Sequence, residues 1–512
     1  MRTSRAWWAT AGVLSGLLGL ALSYAAAALL HVRDAPVVAV AEGITALTPG
    51  KVARWAIETF DTADKKVLVV GILAFLLVFF AVLGRVARTR WWLAVTGYVV
   101  LAALGAVAVI AKPNTSFTDL APIVVGLLAW VVALAALAEW LRRWELVEAS
   151  GEPVTAPMPS RRGFFVASGV VALVAACGGL LGRVAGSARR RAEESRRLLR
   201  IEGVTAPDVP PGASLGVPGV SPWQTPNGPF YLIDTAFIKP TIAPADWELR
   251  IHGMVDREIT LSYRDLVSRE ITEDWITLNC VSNEVGGDLI GNAWWSGVRL
   301  AAILAEAGPH PDADAVLQTS EDGWTCGTPL AAMMDERNAM LAVAMNGEPL
   351  PIEHGFPVRT IVPGLYGYVS ATKWVVDMEV TRYDDITAYW TEKGWSEMGP
   401  VKIASKIEVP ASGADVPAGD VVCAGVAWMQ HTGISAVEVQ VDGGAWQRAR
   451  LASTPNVDTW VQWQATVALD EGDHQLRVRA VDADGNVQTG AIADVVPDGA
   501  TGWHTIDVTA KA

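Results

Sequence analysis

The chain of 512 residues is 51% hydrophobic, has a mean hydropathy of +0.30 and carries a formal net charge of −14. It is too long for one domain and too apolar to be wholly soluble. Its acidic balance offers no basic field for a nucleic-acid backbone, so no nucleic-acid partner is expected.

The excess apolarity lies at the front. Trp7–Leu30, Val67–Leu83, Trp91–Ile110, Leu120–Leu137 and Phe164–Leu181 each have about the length needed to cross ~30 Å of hydrocarbon at 1.5 Å per residue. One such run would suit a buried soluble helix. Five in succession predict a transmembrane region of about five helices over residues 1–182. Arg2 and Arg5 precede the first span, Arg85, Arg88 and Arg90 follow the second, and Arg142, Arg143, Arg161 and Arg162 lie between the fourth and fifth. By the positive-inside rule these segments are cytoplasmic and everything after Leu181 is extracytoplasmic. Trp91, Trp92, Trp140 and Trp144 stand at span ends, where an amphipathic ring prefers the headgroup layer.

Arg183, Arg189, Arg190, Arg191, Arg196, Arg197 and Arg200 then fall on the side that charge alone disfavours. Ser160-Arg161-Arg162-Gly163-Phe164-Phe165, just ahead of the last span, resembles a twin-arginine export signal, which carries folded domains across a membrane. An ordinary positive-inside anchor is the competing reading. Cys177, in the fifth span, is expected to be a packing residue. Cys326 and Cys423 can either pair in an oxidising compartment or stay free.

Residues 183–228 read as a linker, because Ile201 to Gly228 is rich in proline and glycine. Over 229–399 short β-rich runs (Trp247–Ile251) mix with helical patterns (Ser262–Leu266, Leu300–Leu304), which predicts an α+β domain. From about Pro400 the pattern is all-β. Val437–Val441 alternates, Asp442-Gly443-Gly444 supplies a hairpin turn, Trp446–Leu451 returns and His474–Val481 alternates again, so 400–512 reads as a β-sandwich.

Cys280 closes the apolar run Trp275-Ile276-Thr277-Leu278-Asn279 and opens a polar loop containing Gly286-Gly287. A thiolate so placed at a cavity floor suits a soft metal, although a lone cysteine in a strand is more often a small buried hydrophobe. Two further motifs follow it. Trp295-Ser296-Gly297-Val298-Arg299-Leu300 is the first; Met345-Asn346-Gly347-Glu348-Pro349-Leu350-Pro351, leading into His354-Gly355-Phe356-Pro357-Val358-Arg359, is the second.

In this order the motifs resemble the molybdenum-ligand and pterin-binding stretches of the sulfite oxidase family, from about Phe230 to the C-terminus. The resemblance implies a Mo-molybdopterin cofactor, with Cys280 as metal ligand and catalytic residue, in a mixed α+β sulfite-oxidase-like domain. It also implies an immunoglobulin-like dimerisation domain at the C-terminus, hence a homodimer. The reaction implied is two-electron oxygen-atom transfer on a small-molecule substrate, with the cofactor supplying the difficult chemistry. Arg359 is expected to meet the pterin phosphate and His354 to donate beside it. By resemblance Lys373 and Ser370, in Ser370-Ala371-Thr372-Lys373-Trp374, also meet the phosphate. Thr319, Tyr231, Asp234 and Thr235 fall at cofactor positions.

Two departures qualify this. Sulfite-oxidising members carry Asn-Arg-Arg where this chain has Asn283-Glu284-Val285, and a carboxylate facing the pocket would repel an anion. Neutral or cationic sulfoxides or N-oxides are therefore expected to be preferred. No haem domain precedes the cofactor domain, and His31 sits at the outer end of the first span, so a separate electron carrier is expected, a membrane quinone or a cytochrome. The resulting expectation is a membrane-anchored, extracytoplasmic, actinobacterial-like form of the family. Sulfite oxidase proper, a reductase running the reaction backwards, and a non-catalytic cell-surface scaffold are the alternatives.

Overall fold

The computed structural model describes residues 5–30, 36–49, 64–111, 117–150, 168–177 and 188–512, with a few isolated residues between them. The chain divides into two compact units, 1–191 with 236–240, and 192–235 with 241–512.

In the first unit, helices α1 (Arg5–Leu29), α2 (Pro36–Leu47), α3 (Asp64–Ala87), α4 (Trp91–Ile110) and α5 (Ala121–Ser150) pack around Trp8, Phe80, Tyr98, Trp130 and Leu134. Four helical segments are long and apolar enough to cross a membrane: α1, Lys65–Ala87 within α3, α4, and Phe117–Leu146, which includes most of α5. They coincide with the first four predicted spans. Of the fifth, only the apolar helix Ser168–Cys177 is described, and it is too short to span by itself. The arginine pair at 161–162 lies outside the described residues. Cys177 is exposed rather than packed within the chain, contrary to expectation.

Small residues let these helices approach closely. A Cβ on Gly12 would overlap the Phe80 carbonyl, and one on Gly84 would overlap the Trp8 carbonyl. Two polar contacts lie inside the bundle: the Ser15 and Tyr98 hydroxyls are 2.7 Å apart, and Trp130 Nε1 donates to the Gly16 carbonyl at 2.9 Å.

The second unit opens with two sheets, one mixed and one antiparallel. One sheet runs β2-β1-β10-β5-β6, built from β1 (Glu248–Gly253), β2 (Ile259–Ser262), β5 (Ala315–Ser320), β6 (Thr325–Pro329) and β10 (Val375–Thr381). The other runs β3-β4-β7-β8, with β9 also paired to β7. It comprises β3 (Thr272–Asn279), β4 (Ile290–Arg299), β7 (Met340–Met345), β8 (Glu348–Pro349) and β9 (Arg359–Ile361). Short helices such as Tyr263–Val267, started by a Ser262/Asp265 capping box, and Leu300–Ala307 complete the expected α+β mixture. β7 is buried along its whole length, which its unbroken run Met-Leu-Ala-Val-Ala-Met requires.

Beyond residue 403 two further sheets share one core. β11 (Ala404–Val409), β13 (Gly419–Trp428), β17 (Val461–Leu469) and β16 (Arg450–Leu451) form one. The other contains β12 (Asp415–Pro417), β19 (His504–Lys511), β18 (Gly472–Asp482), β14 (Ile434–Val441) and β15 (Gln447–Arg448). Val421 and Trp463 from the first interleave with Val437, Leu476 and Val508 from the second, making a two-sheet sandwich. The predicted hairpin turn has positive φ at Asp442 (51°) and Gly443 (71°), and pairs Glu438 with Arg448. The returning segment then divides, since Arg450–Leu451 pairs with β17 in the opposite sheet.

The proline-rich stretch 201–228 contains no helix or strand, yet it is no free tether. Trp223 is 2% exposed, Ser221 Oγ donates to Glu408 Oε1 at 2.5 Å, and the Thr205 N–H donates to Glu273 Oε1 at 2.7 Å. Composition alone could not distinguish a spacer from a packed strap.

Candidate active site

Cys280 stands where β3 ends. The loop after it folds back at once: the Cys280 N–H donates to the Leu289 carbonyl at 2.9 Å, and the Cys280 carbonyl accepts from the Asn283 N–H at 3.1 Å. Asn283 Oδ1 closes the loop by accepting from the Leu289 N–H at 2.9 Å, and Gly286, at φ +82°, permits the turn. Burial raises the Cys280 thiol pKa, opposed by hydrogen bonds from Ser282 and by the Lys373 charge.

The thiol lies on a cavity whose walls include Tyr231, Asp234, Thr235, Arg359 and Lys373 among the predicted residues. Arg359, on β9, is 4% exposed. Its guanidinium donates to the carbonyls of His354 (3.2 Å) and Ala371 (3.4 Å) and lies 5.2 Å from the centre of the Trp295 ring. No carboxylate among the described residues lies within ion-pair distance, and burial lowers its pKa to about 10. Lys373 is differently placed, because its Nζ donates to Asp234 Oδ2 at 2.9 Å and to the Glu353 carbonyl at 3.0 Å, making a buried pair of two predicted residues. Tyr231 stacks on Phe230 with ring centres 5.3 Å apart; burial and then Cys280 push its phenol pKa above the ordinary value, against Arg359. Thr235 Oγ1 donates to Asp322 Oδ2 at 3.4 Å.

Three predicted residues stand off the cavity wall. His354 is buried behind it, with Nε2 2.9 Å from the Asn227 carbonyl; burial, then Arg359, lowers its pKa to about 4, so the neutral ring donates that bond. Through its own carbonyl it helps to hold Arg359. The Ser370 hydroxyl donates to the carbonyls of Leu365 and Tyr366 at 3.1 and 2.9 Å, closing the short helix Gly367–Ser370. Thr319 projects from the other face of β5, and its neighbour Ser320 lines the cavity.

Sequence reasoning missed Ser320, Asp322, Trp324, Tyr368, Trp390 and Trp395, which complete the wall. Only Trp390 and Trp395, close together in an aromatic stretch, carried any local signal. Glu284 requires a correction: it is exposed and borders a separate cleft with Tyr366, Trp428 and Gln488, away from the cavity over Cys280. The premise of a carboxylate repelling anions at the site therefore fails. Cys326 and Cys423 are both buried free thiols, which excludes their pairing in this fold.

The chemistry of the cavity fits a phosphate-bearing, sulfur-ligated metal group. Arg359 has only carbonyl partners, and Ser320 Oγ and Trp324 Nε1 are buried without a hydrogen-bond partner, an arrangement that favours an acceptor-rich anion. Among the described residues no cluster of three His, Cys, Asp or Glu side chains can hold a metal alone. A metal at Cys280 must bring most of its ligands with it.

Comparison with known proteins agrees. The family described as "oxidoreductase molybdopterin binding domain" matches residues 236–390. Mouse mitochondrial sulfite oxidase is 30% identical over 321 residues, 53% of this chain and 58% of the mouse protein. The chain thus spans little more than half the length of that relative. The oxidoreductase YuiH of Bacillus subtilis is 33% identical over 180 residues, 35% of this chain and 87% of YuiH. Among solved structures, the sulfane dehydrogenase SoxCD of Paracoccus pantotrophus aligns over 57% of this chain and 80% of its own, with 25% identity and a TM-score of 0.46. With the thiol and the buried guanidinium inside the matched 236–390 region, and with YuiH covered over most of its length, the chain belongs to the sulfite oxidase family of molybdopterin oxidoreductases.

Proposed function

We propose that the protein is a membrane-anchored, extracytoplasmic molybdenum-dependent oxidoreductase acting on a small molecule. The reaction class is X + H2O ⇌ XO + 2 e− + 2 H+, with electrons exchanged through a separate quinone or cytochrome. The observation that carries this reading is the pairing, across one cavity, of the Cys280 thiol with a buried Arg359 guanidinium that lacks a carboxylate.

Molybdopterin, when bound, supplies the two-electron redox couple and the oxygen-transfer chemistry. Cys280 would hold the metal, and Arg359 would meet the phosphate. Ser320 and Trp324 would donate further hydrogen bonds, and Tyr231 would bind alongside. Lys373 and Asp234, already paired, would orient these groups without adding net charge. Thr235 would hold Asp322, while His354 and Ser370 would brace the wall from behind. Thr319 would steady β5 from its far face. The apolar sides Trp390, Trp395 and Tyr368 exclude water, which strengthens every polar contact inside.

The four long helices support membrane anchorage, and the two-sheet domain at 400–512 is read as immunoglobulin-like and as the seat of a homodimer. Sulfite is a second reading for the substrate, favoured by the outward placement of Glu284. The test is metal analysis of the full chain, purified from a host that makes the cofactor. Close to one molybdenum per chain, with turnover abolished by Cys280→Ala, is expected. A metal-free protein or an active alanine variant would refute the assignment.

A further inference from the structure

We propose that the C-terminal sandwich positions the catalytic cysteine, by clamping both arms of the β3–loop–β4 segment that carries it. This rests on Cys280 being the working residue of the site. β3 is an edge strand, paired only with β4. An edge leaves every second residue with an unpaired N–H and C=O. Here that edge is occupied by the sandwich.

The Trp275 carbonyl accepts from Asn456 Nδ2 at 3.0 Å, the Thr277 N–H donates to the Asp458 carbonyl at 2.9 Å, and the Thr277 carbonyl accepts from Gln430 Nε2 at 3.2 Å. Thr277 Oγ1 accepts from the Trp460 N–H at 2.8 Å as well. All four partners belong to loops of the sandwich, and their last anchor lies three residues before Cys280. Two side chains and two main-chain groups of the sandwich thus stand where a neighbouring strand would be, and they fix the strand along its length as well as across it.

The other arm is held separately. Gly286 rests on His504, whose ring a Cβ at that position would overlap, and His504 Nδ1 is itself fixed by accepting from the Ile407 N–H at 2.9 Å. Cys280, between two such anchors, has no freedom to shift without breaking a contact with the sandwich. The sandwich acts on the reacting centre through β3 and touches neither substrate nor metal, so Gln430 and Asn456 are positioning residues.

The test compares Gln430→Ala, Gln430→Glu and Asn456→Ala in the full chain with Val439→Ala, a lesion in the sandwich core away from β3. Glutamate keeps the shape of glutamine and, ionised at the alkaline pH of the alkylation assay, cannot donate the bond. In cofactor-free protein, alkylation of Cys280 by iodoacetamide, followed by mass spectrometry, is expected to rise about tenfold in the three edge variants, since each leaves a buried carbonyl unpaired. Val439→Ala, compared at the same fall in melting temperature, should leave the rate unchanged. In loaded protein the Mo(V) electron paramagnetic resonance signal should shift only in the edge variants. Equal alkylation across all variants at matched stability, or a Gln430→Glu protein indistinguishable from wild type, would overturn the proposal. Failure of the cofactor assignment would register differently, as an absence of molybdenum with the alkylation pattern intact.

Discussion

Replacing Arg359 by methionine separates what this side chain costs the fold from what it contributes to binding. The guanidinium is buried, its acceptors are neutral carbonyls, and its pKa falls from 12.5 to about 10. At 1.36 kcal/mol per unit, that depression means a destabilisation of about 3 kcal/mol of the charged form, fully present at pH 7. Methionine removes the charge and keeps much of the volume, at the loss of hydrogen bonds worth roughly 1 kcal/mol each. The cofactor-free variant should therefore melt at or slightly above the wild-type temperature.

Loading should reverse the order. Removing one partner of a desolvated charge pair costs about 2–5 kcal/mol, which is roughly one and a half to three and a half powers of ten in cofactor retention at about 1.4 kcal/mol per decade. The assay is differential scanning fluorimetry of the full chain in detergent, from hosts with and without pterin synthesis, with molybdenum measured on the same samples. A variant that keeps its metal and gains as much from loading as wild type would refute the phosphate role. A cofactor-free variant that melts far lower would show that the guanidinium is already compensated within the fold.

Other expectations follow from the same geometry. Glu284→Gln should change kcat/KM by less than about twofold for anionic and neutral substrates alike, because the side chain borders another cleft; steady-state kinetics on sulfite and on neutral sulfoxides check this. His354, with its pKa lowered to about 4 from 6.5, favours the neutral ring in the fold. Its contribution is complete above pH 6.5 and lost as pH falls towards 4, since the unfolded chain takes the proton first. The melting temperature should therefore drop across that window, and His354→Gln should flatten the drop. Asp234→Asn, which leaves Lys373 buried beside a neutral amide, should lower stability by about 3 kcal/mol, read from the same melting curves.

What was legible in the sequence was whatever was contiguous. The cysteine run, the Trp295–Leu300 element and the His354–Arg359 stretch each keep their chemistry within a few residues, and the fold brings Cys280 and Arg359 to one cavity. The aromatic wall was only partly legible, because Trp324, Tyr368 and the Trp390–Trp395 stretch come from three segments that only the tertiary fold brings together. Thr319 shows a finer failure. A strand reverses its side chains at each step, so a position inferred by spacing points to the wrong face when it is off by one, and Ser320 takes its place. Glu284 lies in a loop turned by a left-handed glycine, where no periodicity exists to give direction. Trp223 was the one sign that the proline-rich stretch packs, since a free spacer has no use for an indole.

The contact between Gly12 and Gly84 has a consequence for how apolar helices record their history. On a hydropathy profile both residues are neutral, and exchange for alanine would improve the score. In the bundle each is a site where one methyl group has nowhere to go, because a carbonyl of the facing helix already fills the space. Drift along α1 and α3 is therefore free on the outward faces, where any large apolar side chain serves, and forbidden where the facing backbone already fills the space. The apolar N-terminal region should diverge quickly in letters while keeping this crossing unchanged, and a search for its distant kin should weigh these two glycines above all its leucines.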